Sequence, residues 1–90
     1  MYTKSTRIVN KSGLHARPAS DFIQAATKFQ SRIEIAKVGS DTFANAKSII
    51  FLLGLGLSQG AEILLRAEGT DEEQAVNTLI QLIESGFGEV

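Results

Sequence analysis

The chain holds one histidine, His15, among residue types that suit reaction with an anion. Gly13 precedes it in a turn, and Arg17 and Pro18 follow it. A neutral imidazole nitrogen is nucleophilic near physiological pH, so His15 could accept a phosphoryl group and hand it on. The guanidinium of Arg17 offers donors that match phosphoryl oxygens. The residues alone leave two interpretations even: a phosphoryl acceptor, or a histidine that caps a helix or lies at the surface.

Pro18 indicates where the first helix begins. Proline is favoured in a first helical turn because its missing N–H would have no intrahelical partner there. The spacing therefore predicts a helix start between His15 and Pro18, with unpaired N–H groups and the positive end of the helix dipole close to the imidazole. Such a helix end is suited to phosphate or another anion.

Composition predicts one domain over residues 1–90 and excludes several kinds of chemistry. Of the 90 residues, 43% are hydrophobic and 21% charged, which is enough to form a core. The net charge of −1 argues against a general nucleic-acid binder. Without cysteine there is no disulfide, thiolate metal site or cysteine nucleophile, and one histidine disfavours a zinc site. We expect neither a metal nor a cofactor.

The small net charge conceals an uneven distribution along the chain. Residues 1–18 contain basic but no acidic side chains, whereas residues 67–90 contain acidic but no basic ones. Ordinary surface charge is the simpler interpretation of this split. The uneven distribution becomes relevant to function if His15 reacts, since basic surroundings would suit an anionic substrate or an acidic partner.

The chain shows no sign of a membrane segment or of a signal peptide. Residues 1–7 lack an apolar core, and the longest apolar run, residues 49–57, contains two glycines and is too short to span a bilayer. We expect a soluble cytoplasmic protein with no membrane insertion.

Hydrophobic spacing predicts the order β-α-β-β-α-β-α. Strands are predicted at residues 6–10, at Ile33 and Ile35 with their alternating polar neighbours, at 42–45 and at 61–67, with a turn at 39–41. Helices are predicted from Pro18 to before Ser31, over residues 49–53 after a cap at Ser48, and from a capping box at 70–73 to Gly86. This order predicts an α+β open-faced sandwich, in which three helices cover one face of a four-stranded, mainly antiparallel sheet.

The segment Gly-Leu-His-Ala-Arg-Pro-Ala at residues 13–19 resembles the active-site signature of the histidine-containing phosphocarrier (HPr) family of the bacterial phosphoenolpyruvate-dependent sugar phosphotransferase system. Residues 45–50, Gly56 and residues 60–63 match that family in order and approximate spacing, so the resemblance covers essentially the whole chain. It implies that His15 is phosphorylated at Nδ1 by enzyme I and then donates to the A domain of a sugar permease. Arg17 would position and neutralise the phosphoryl group. The protein would be a carrier and not an enzyme.

The resemblance also assigns a role to Ser48 and its neighbours. It implies regulatory phosphorylation of Ser48 by HPr kinase/phosphorylase, and a catabolite-control transcription regulator as a further partner. Ile49, Ile50 and Phe51 would then belong to a docking surface. Phe51 stands where the family usually has a glycine, and core filling is the narrowly favoured interpretation of that residue. The hairpin segment before Ser48 is also slightly longer than in common members.

Other functions remain as alternatives. A paralogous carrier of the nitrogen-related or catabolite-control branch would share the same motifs. A small-molecule sensor would leave few traces in the sequence, but it would not explain the residues around His15. An RNA-binding module should carry aromatic residues on its strands, and a hydrolase would need an acid that approaches His15 in space.

Overall fold

A computed structural model describes residues 1–88 as an antiparallel sheet with helices packed on one face. The strands are β1 (Tyr2–Arg7), β2 (Arg32–Lys37), β3 (Ala44–Asn45) and β4 (Glu62–Glu68). The helices are α1 (Ala16–Ala26), α2 (Ile49–Gly54) and α3 (Glu72–Glu84). The strands lie in the order β1-β4-β2-β3, and every neighbouring pair is antiparallel. The predicted element order and the α+β sandwich are confirmed.

The central strands explain why the helices cover one face. Ile33 and Ile35 of β2 stand opposite Ala67 and Leu65 of β4, and all four side chains are buried. Because side chains alternate between faces along a strand, these residues form one apolar layer on which the helices pack. Each large side chain so buried contributes about 1.5–3 kcal/mol relative to exposure.

The prediction of the first strand at residues 6–10 is wrong, because β1 spans Tyr2–Arg7. Of its three inward residues, Tyr2 packs against the core, whereas Lys4 and Thr6 are polar and hydrogen bond to α3. The ammonium of Lys4 donates to Asn77 Oδ1 at 2.8 Å, and the Thr6 hydroxyl donates to Glu84 Oε2 at 3.0 Å. An edge strand held by polar contacts carries no hydrophobic alternation, so the pattern pointed instead to the buried Ile8 beyond its end.

The start of α3 also differs from the predicted capping box at residues 70–73. The N-cap is Asp71, and its carboxylate makes no capping bond. The carboxylate instead accepts hydrogen bonds from the backbone N–H of Gln30 at 2.9 Å and from the backbone N–H and hydroxyl of Ser31. Asp71 therefore ties the chain that follows α1 to the start of α3. The carboxylate of Glu72 accepts the N–H of Gly69 at 3.1 Å.

The bounds of α2 and the end of α3 agree with the sequence apart from small shifts, whereas α1 ends at Ala26, a full turn before the end predicted just ahead of Ser31. In α3, Val76, Leu79 and Ile83 are buried as predicted, and the helix ends before Gly86, which has a φ of 70°. Phe29 follows the end of α1 but still packs against the core. No helix within residues 1–88 is long and apolar enough to cross a membrane.

The face of the sheet opposite the helices is covered by paired charges. The guanidinium of Arg66 contacts Glu34 at 2.9 Å and lies 3.5 Å from the centroid of the Phe43 ring. Two further cross-strand ion pairs join Arg7 to Glu62 at 2.7 Å and Arg32 to Glu68 at 3.5 Å. An RNA reader would carry aromatic residues on its strands, whereas Phe43 lies just before β3 and the guanidinium of Arg66 stacks on one face of its ring.

Candidate functional site

His15 lies at the N-cap of α1, in a short exposed stretch between buried residues. Leu14 before it and Ala19 after it are fully buried, and Pro18 in the first turn of the helix is buried as well. His15 itself has extended backbone angles (φ −129°, ψ 159°) and is exposed together with Arg17. The predicted helix start between His15 and Pro18 is confirmed. The core thus fixes the backbone on both sides of a side chain that faces solvent.

The loop before His15 is held against the chain that follows α2. The N–H of Leu14 donates to the carbonyl of Leu57 at 2.8 Å, and the side-chain amide of Asn10 donates to the carbonyl of Gly13 at 2.9 Å. At Gly13, where φ is +65°, a Cβ atom would lie 2.4 Å from the Leu57 carbonyl oxygen. The turn predicted before His15 therefore requires glycine for its conformation and for this close approach.

The His15 imidazole is not used as a structural cap. Its side chain makes no capping hydrogen bond to α1. Across the described part of the chain, no carboxylate forms an ion pair with it. The hydrolase alternative, which requires an acid that orients the imidazole, therefore has no support within residues 1–88.

Ala16 has a feature that the sequence did not indicate. Its φ is +50°, in the left-handed region that residues other than glycine rarely adopt. This conformation costs about 1–2 kcal/mol, and it occurs between His15 and Arg17. Alanine gives no signal for such a backbone, whereas glycine or asparagine would have indicated one.

Arg17 lies in the first turn of α1, as predicted, and its charge is not committed elsewhere. It is exposed, and none of the ion pairs formed between residues 1–88 involves it. The first N–H groups of the helix have no intrahelical partner, and the positive end of the helix dipole adds to them. A guanidinium beside a helix N-terminus is an arrangement that can hold the oxygens of a phosphoryl group.

Ser48 occupies the N-cap position of α2, as predicted, but its hydroxyl makes no capping bond. Only its backbone closes the turn: the carbonyl of Ser48 accepts the N–H of Leu52 at 3.0 Å. The side chain is half-buried. The expected side-chain cap is therefore absent, and the hydroxyl remains free of that role.

The helix after Ser48 presents most of its apolar side chains to solvent. Ile49, Ile50 and Phe51 are 40%, 77% and 62% exposed, while Leu52 is the residue of α2 that is buried. Core filling by Phe51 is therefore wrong, because a helix this short directs only one side chain into the core. Phe51 instead lines a groove of about 530 Å³ between α2 and the β2–β3 hairpin, whose other wall includes Phe43.

Comparisons with known proteins agree with this architecture along the whole chain. The family model described as "PTS HPr component phosphorylation site" matches residues 2–85. The chain is 42% identical to the phosphocarrier protein HPr of Haemophilus influenzae over 83 residues, covering 92% of this chain and 95% of that protein. It is 44% identical to the HPr-like protein Crh of Halalkalibacterium halodurans over 84 residues, covering 93% and 98% respectively.

A solved structure shows the same fold. The crystal structure of HPr-C-His from Thermoanaerobacter tengcongensis superposes with a TM-score of 0.95 at 50% identity, covering 100% of this chain and 99% of that chain. The family model, the relatives and this superposition all extend across the His15 loop, α2 and the sheet. The chain therefore belongs to the HPr family of the bacterial phosphotransferase system, whose members carry a phosphoryl group and are not enzymes.

Proposed function

We propose that His15 accepts a phosphoryl group at Nδ1 from phospho-enzyme I and transfers it to the A domain of a sugar permease. The observation that carries this assignment is the exposed imidazole at the N-terminus of α1, which serves neither as a helix cap nor as an ion-pair partner within residues 1–88. With these partners we place the chain, as a single domain of residues 1–90, in the cytoplasm.

The transfer needs a nucleophile and groups that stabilise the negative charge of the phosphoryl group. The lone pair of the neutral Nδ1 atom forms the new P–N bond, while the bond between phosphorus and its donor group on enzyme I breaks and leaves its electron pair on enzyme I. The second transfer repeats this step, with His15 as the leaving group. Because the P–N bond is labile, the carrier can release what it accepts.

Arg17 and the first turn of α1 stabilise the charge that His15 acquires. A phosphoryl group adds about 1.5–2 negative charges near neutral pH. The uncommitted guanidinium of Arg17 supplies paired donors, and the helix N-terminus supplies N–H groups and a positive dipole. The N–H groups of the helix end are fixed by the fold, which supports a site that needs little reorganisation there.

The exposed side chains of α2 supply the docking surface for enzyme I and the A domain. Ile50 and Phe51 are the two most exposed large hydrophobic residues of the helix, and Ile49 is partly exposed beside them. The carbonyl of Leu57, beyond the end of α2, is bonded to the loop that carries His15, so a partner seated on α2 is brought to the imidazole. A partner with an apolar patch and acidic groups would complement α2 and Arg17.

The first experiment is intact-mass analysis after incubation with enzyme I and phosphoenolpyruvate. We expect one acid-labile phosphoryl group on the native chain and none on His15→Ala. The chain has no other histidine, so the variant removes every imidazole. Equal labelling of the variant would contradict the site, and no labelling of either protein would contradict the carrier function.

We also propose that Ser48 is a regulatory phosphorylation site. Its hydroxyl makes no capping bond, and a phosphate at a helix N-terminus is electrostatically tolerated there. The added charge would adjoin Ile49 and Ile50. A partner that covers those apolar side chains would then have to desolvate the phosphate, which weakens docking without unfolding the helix.

The test of Ser48 uses HPr kinase/phosphorylase with ATP. We expect an acid-stable label on the native chain and on Ser20→Ala, an exposed serine of α1 that serves as the matched control, but not on Ser48→Ala. We expect the labelled protein to accept phosphoryl groups from enzyme I at least about tenfold more slowly, which corresponds to about 1.4 kcal/mol. A label that persists in Ser48→Ala, or an unchanged rate, would refute this role.

The similarity to a Crh protein keeps a regulatory carrier as the second candidate function. Such a carrier would retain phosphorylation of His15 or Ser48 but would not supply sugar permeases. Incubation of the phosphorylated chain with sugar-specific and nitrogen-related A domains separates the two functions. Transfer to the sugar-specific domain supports the first candidate, and transfer confined to the other domain supports the second.

A further inference from the structure

The short helix α2 has one buried side chain of its own, and the flanking residues Ala46 and Leu57 are buried as well. It is about 9 Å long, and Leu52 is the residue through which it enters the core. A helix of this length is not stable by itself in water, so contacts with the rest of the fold must set its position. Its orientation matters because the side chains proposed for docking lie on it.

Two polar contacts tie the chain at either end of α2 to the chain at either end of α1. Beyond the C-terminal end of α2, the carbonyl of Leu57 accepts the N–H of Leu14, next to His15, at 2.8 Å. At the N-terminal end, the half-buried Lys47 donates from Nζ to the carbonyl of Phe29 at 2.7 Å. Phe29 lies just after α1 and packs against the core. These two hydrogen bonds therefore join the segments that flank α2 to the segments that precede and follow α1.

The backbone around Lys47 explains why its ammonium reaches this carbonyl. The N–H of Lys47 donates to Asn45 Oδ1 at 2.9 Å, and the N–H of Ser48 donates to the Asn45 carbonyl at 3.1 Å. The side chain of Ala46, between them, is fully buried. This turn fixes the direction from which the Lys47 side chain leaves the backbone.

We infer that Lys47 is a positioning residue for phosphoryl transfer: its bond to Phe29 holds α2 in the orientation that partners recognise. The inference rests on the proposed docking role of α2. Lys47 touches no reacting atom in this scheme. A bond from a charged donor to a half-buried carbonyl is among the stronger hydrogen bonds of a protein, so its loss should be measurable.

The test compares Lys47→Met, which keeps the unbranched stem and removes the donor, with Lys47→Arg, which restores a charged donor. Lys37→Met is the matched control, because Lys37 is exposed and its side chain forms no ion pair within residues 1–88. For phosphorylation by phospho-enzyme I, we expect Lys47→Met to raise KM roughly tenfold with kcat unchanged. Lys47→Arg should recover most of this loss, and Lys37→Met should behave like the native chain.

Amide exchange of the isolated proteins separates positioning from direct contact with the partner. We expect the Leu52 amide, bonded to the Ser48 carbonyl, to exchange faster in Lys47→Met but not in Lys37→Met. A raised KM with unchanged amide exchange would mean that Lys47 contacts enzyme I directly. Faster exchange with an unchanged KM would mean that the hydrogen bond from Lys47 to Phe29 holds α2 but does not affect docking. Either result overturns the inference. If the native chain takes no phosphoryl group, the proposed function fails, while exchange alone still decides whether Lys47 holds α2.

Discussion

Gly13 sets the distance between the His15 loop and the chain after α2. It is buried, its φ is +65°, and a Cβ atom would lie 2.4 Å from the Leu57 carbonyl oxygen and 2.8 Å from Ser58 Cα. Both neighbours are backbone atoms, so neither can move aside as a flexible side chain would. The position therefore excludes a side chain for two separate reasons, conformation and space.

Gly56 provides a comparison that separates these two reasons. Its φ is +63°, but a Cβ atom there would meet nothing within 4 Å. We expect Gly56→Ala to lower the free energy of unfolding by about 1 kcal/mol, the cost of the left-handed backbone alone. Gly13→Ala should lower it by about 3 kcal/mol, because overpacking adds to that cost. Urea denaturation measures both values, and equal losses would contradict the close approach.

At the scale of elements, Asp71 links the end of α1 to the start of α3. The hydroxyl of Ser31 and the N–H of Gln30 donate to its carboxylate and hold the pKa of Asp71 below the ordinary aspartate value. These donors favour the charged form in the folded chain. The stabilisation should therefore be complete above about pH 4, where aspartate in the unfolded chain is ionised, and be lost as the pH falls through the lowered pKa.

This sign gives a prediction for acid denaturation. Asp71→Asn should lower the urea midpoint at neutral pH, and the difference from the native chain should shrink in acid as the native carboxylate becomes protonated. Ser31→Ala removes the leading donor and should reduce the same pH dependence. Asp41→Asn, in the exposed β2–β3 turn, serves as the control. A difference that stays constant from neutral pH to below pH 3 would contradict the linkage.

Elements could be predicted from sequence where hydrophobic spacing reflects burial. The stripe of Val76, Leu79 and Ile83 identified α3, and the alternation in β4 identified a central strand. The edge strand β1 could not be found in this way, since two of its three inward residues, Lys4 and Thr6, are polar and have their partners on α3. Thr70 and Glu73 have the spacing of a capping box, but the N-cap is Asp71, and its carboxylate accepts a hydrogen bond from Gln30, which is distant in the sequence.

The candidate site likewise has features that the sequence could predict and features that it could not. The residue types at His15, Arg17 and Ser48 indicated their positions at the starts of two helices, and the structure places them there. The left-handed backbone of Ala16 and the bond from Lys47 to Phe29 depend on chain segments that meet only after folding. Phe51 does not fill the core as predicted, because helix length, and not hydrophobicity, decides how many side chains of α2 reach the core.

For the molecule as a whole, the charge split along the sequence is partly matched within the fold. The basic N-terminal segment lies along the acidic C-terminal helix: the amino terminus pairs with Glu72 at 3.3 Å, and Lys4 and Thr6 of β1 bond to α3. The match leaves Arg17 without an acidic partner among residues 1–88. Lys4 and Lys11 of the same segment also form no ion pair within residues 1–88, so the unpaired positive charge includes Arg17, two residues from His15, without being confined to it.

The paired charges on the uncovered sheet face have a consequence for diffusion. Each guanidinium there, on Arg7, Arg32 and Arg66, already has a carboxylate on a neighbouring strand, so the face offers an approaching molecule little unmatched charge. The exposed apolar residues of the described chain are concentrated instead on α2. Collisions on the charge-paired part of the sheet should end without capture, and those at α2 should persist. A small carrier that binds other molecules weakly over much of its surface diffuses with little delay between the partner that phosphorylates it and the partner that takes the phosphoryl group.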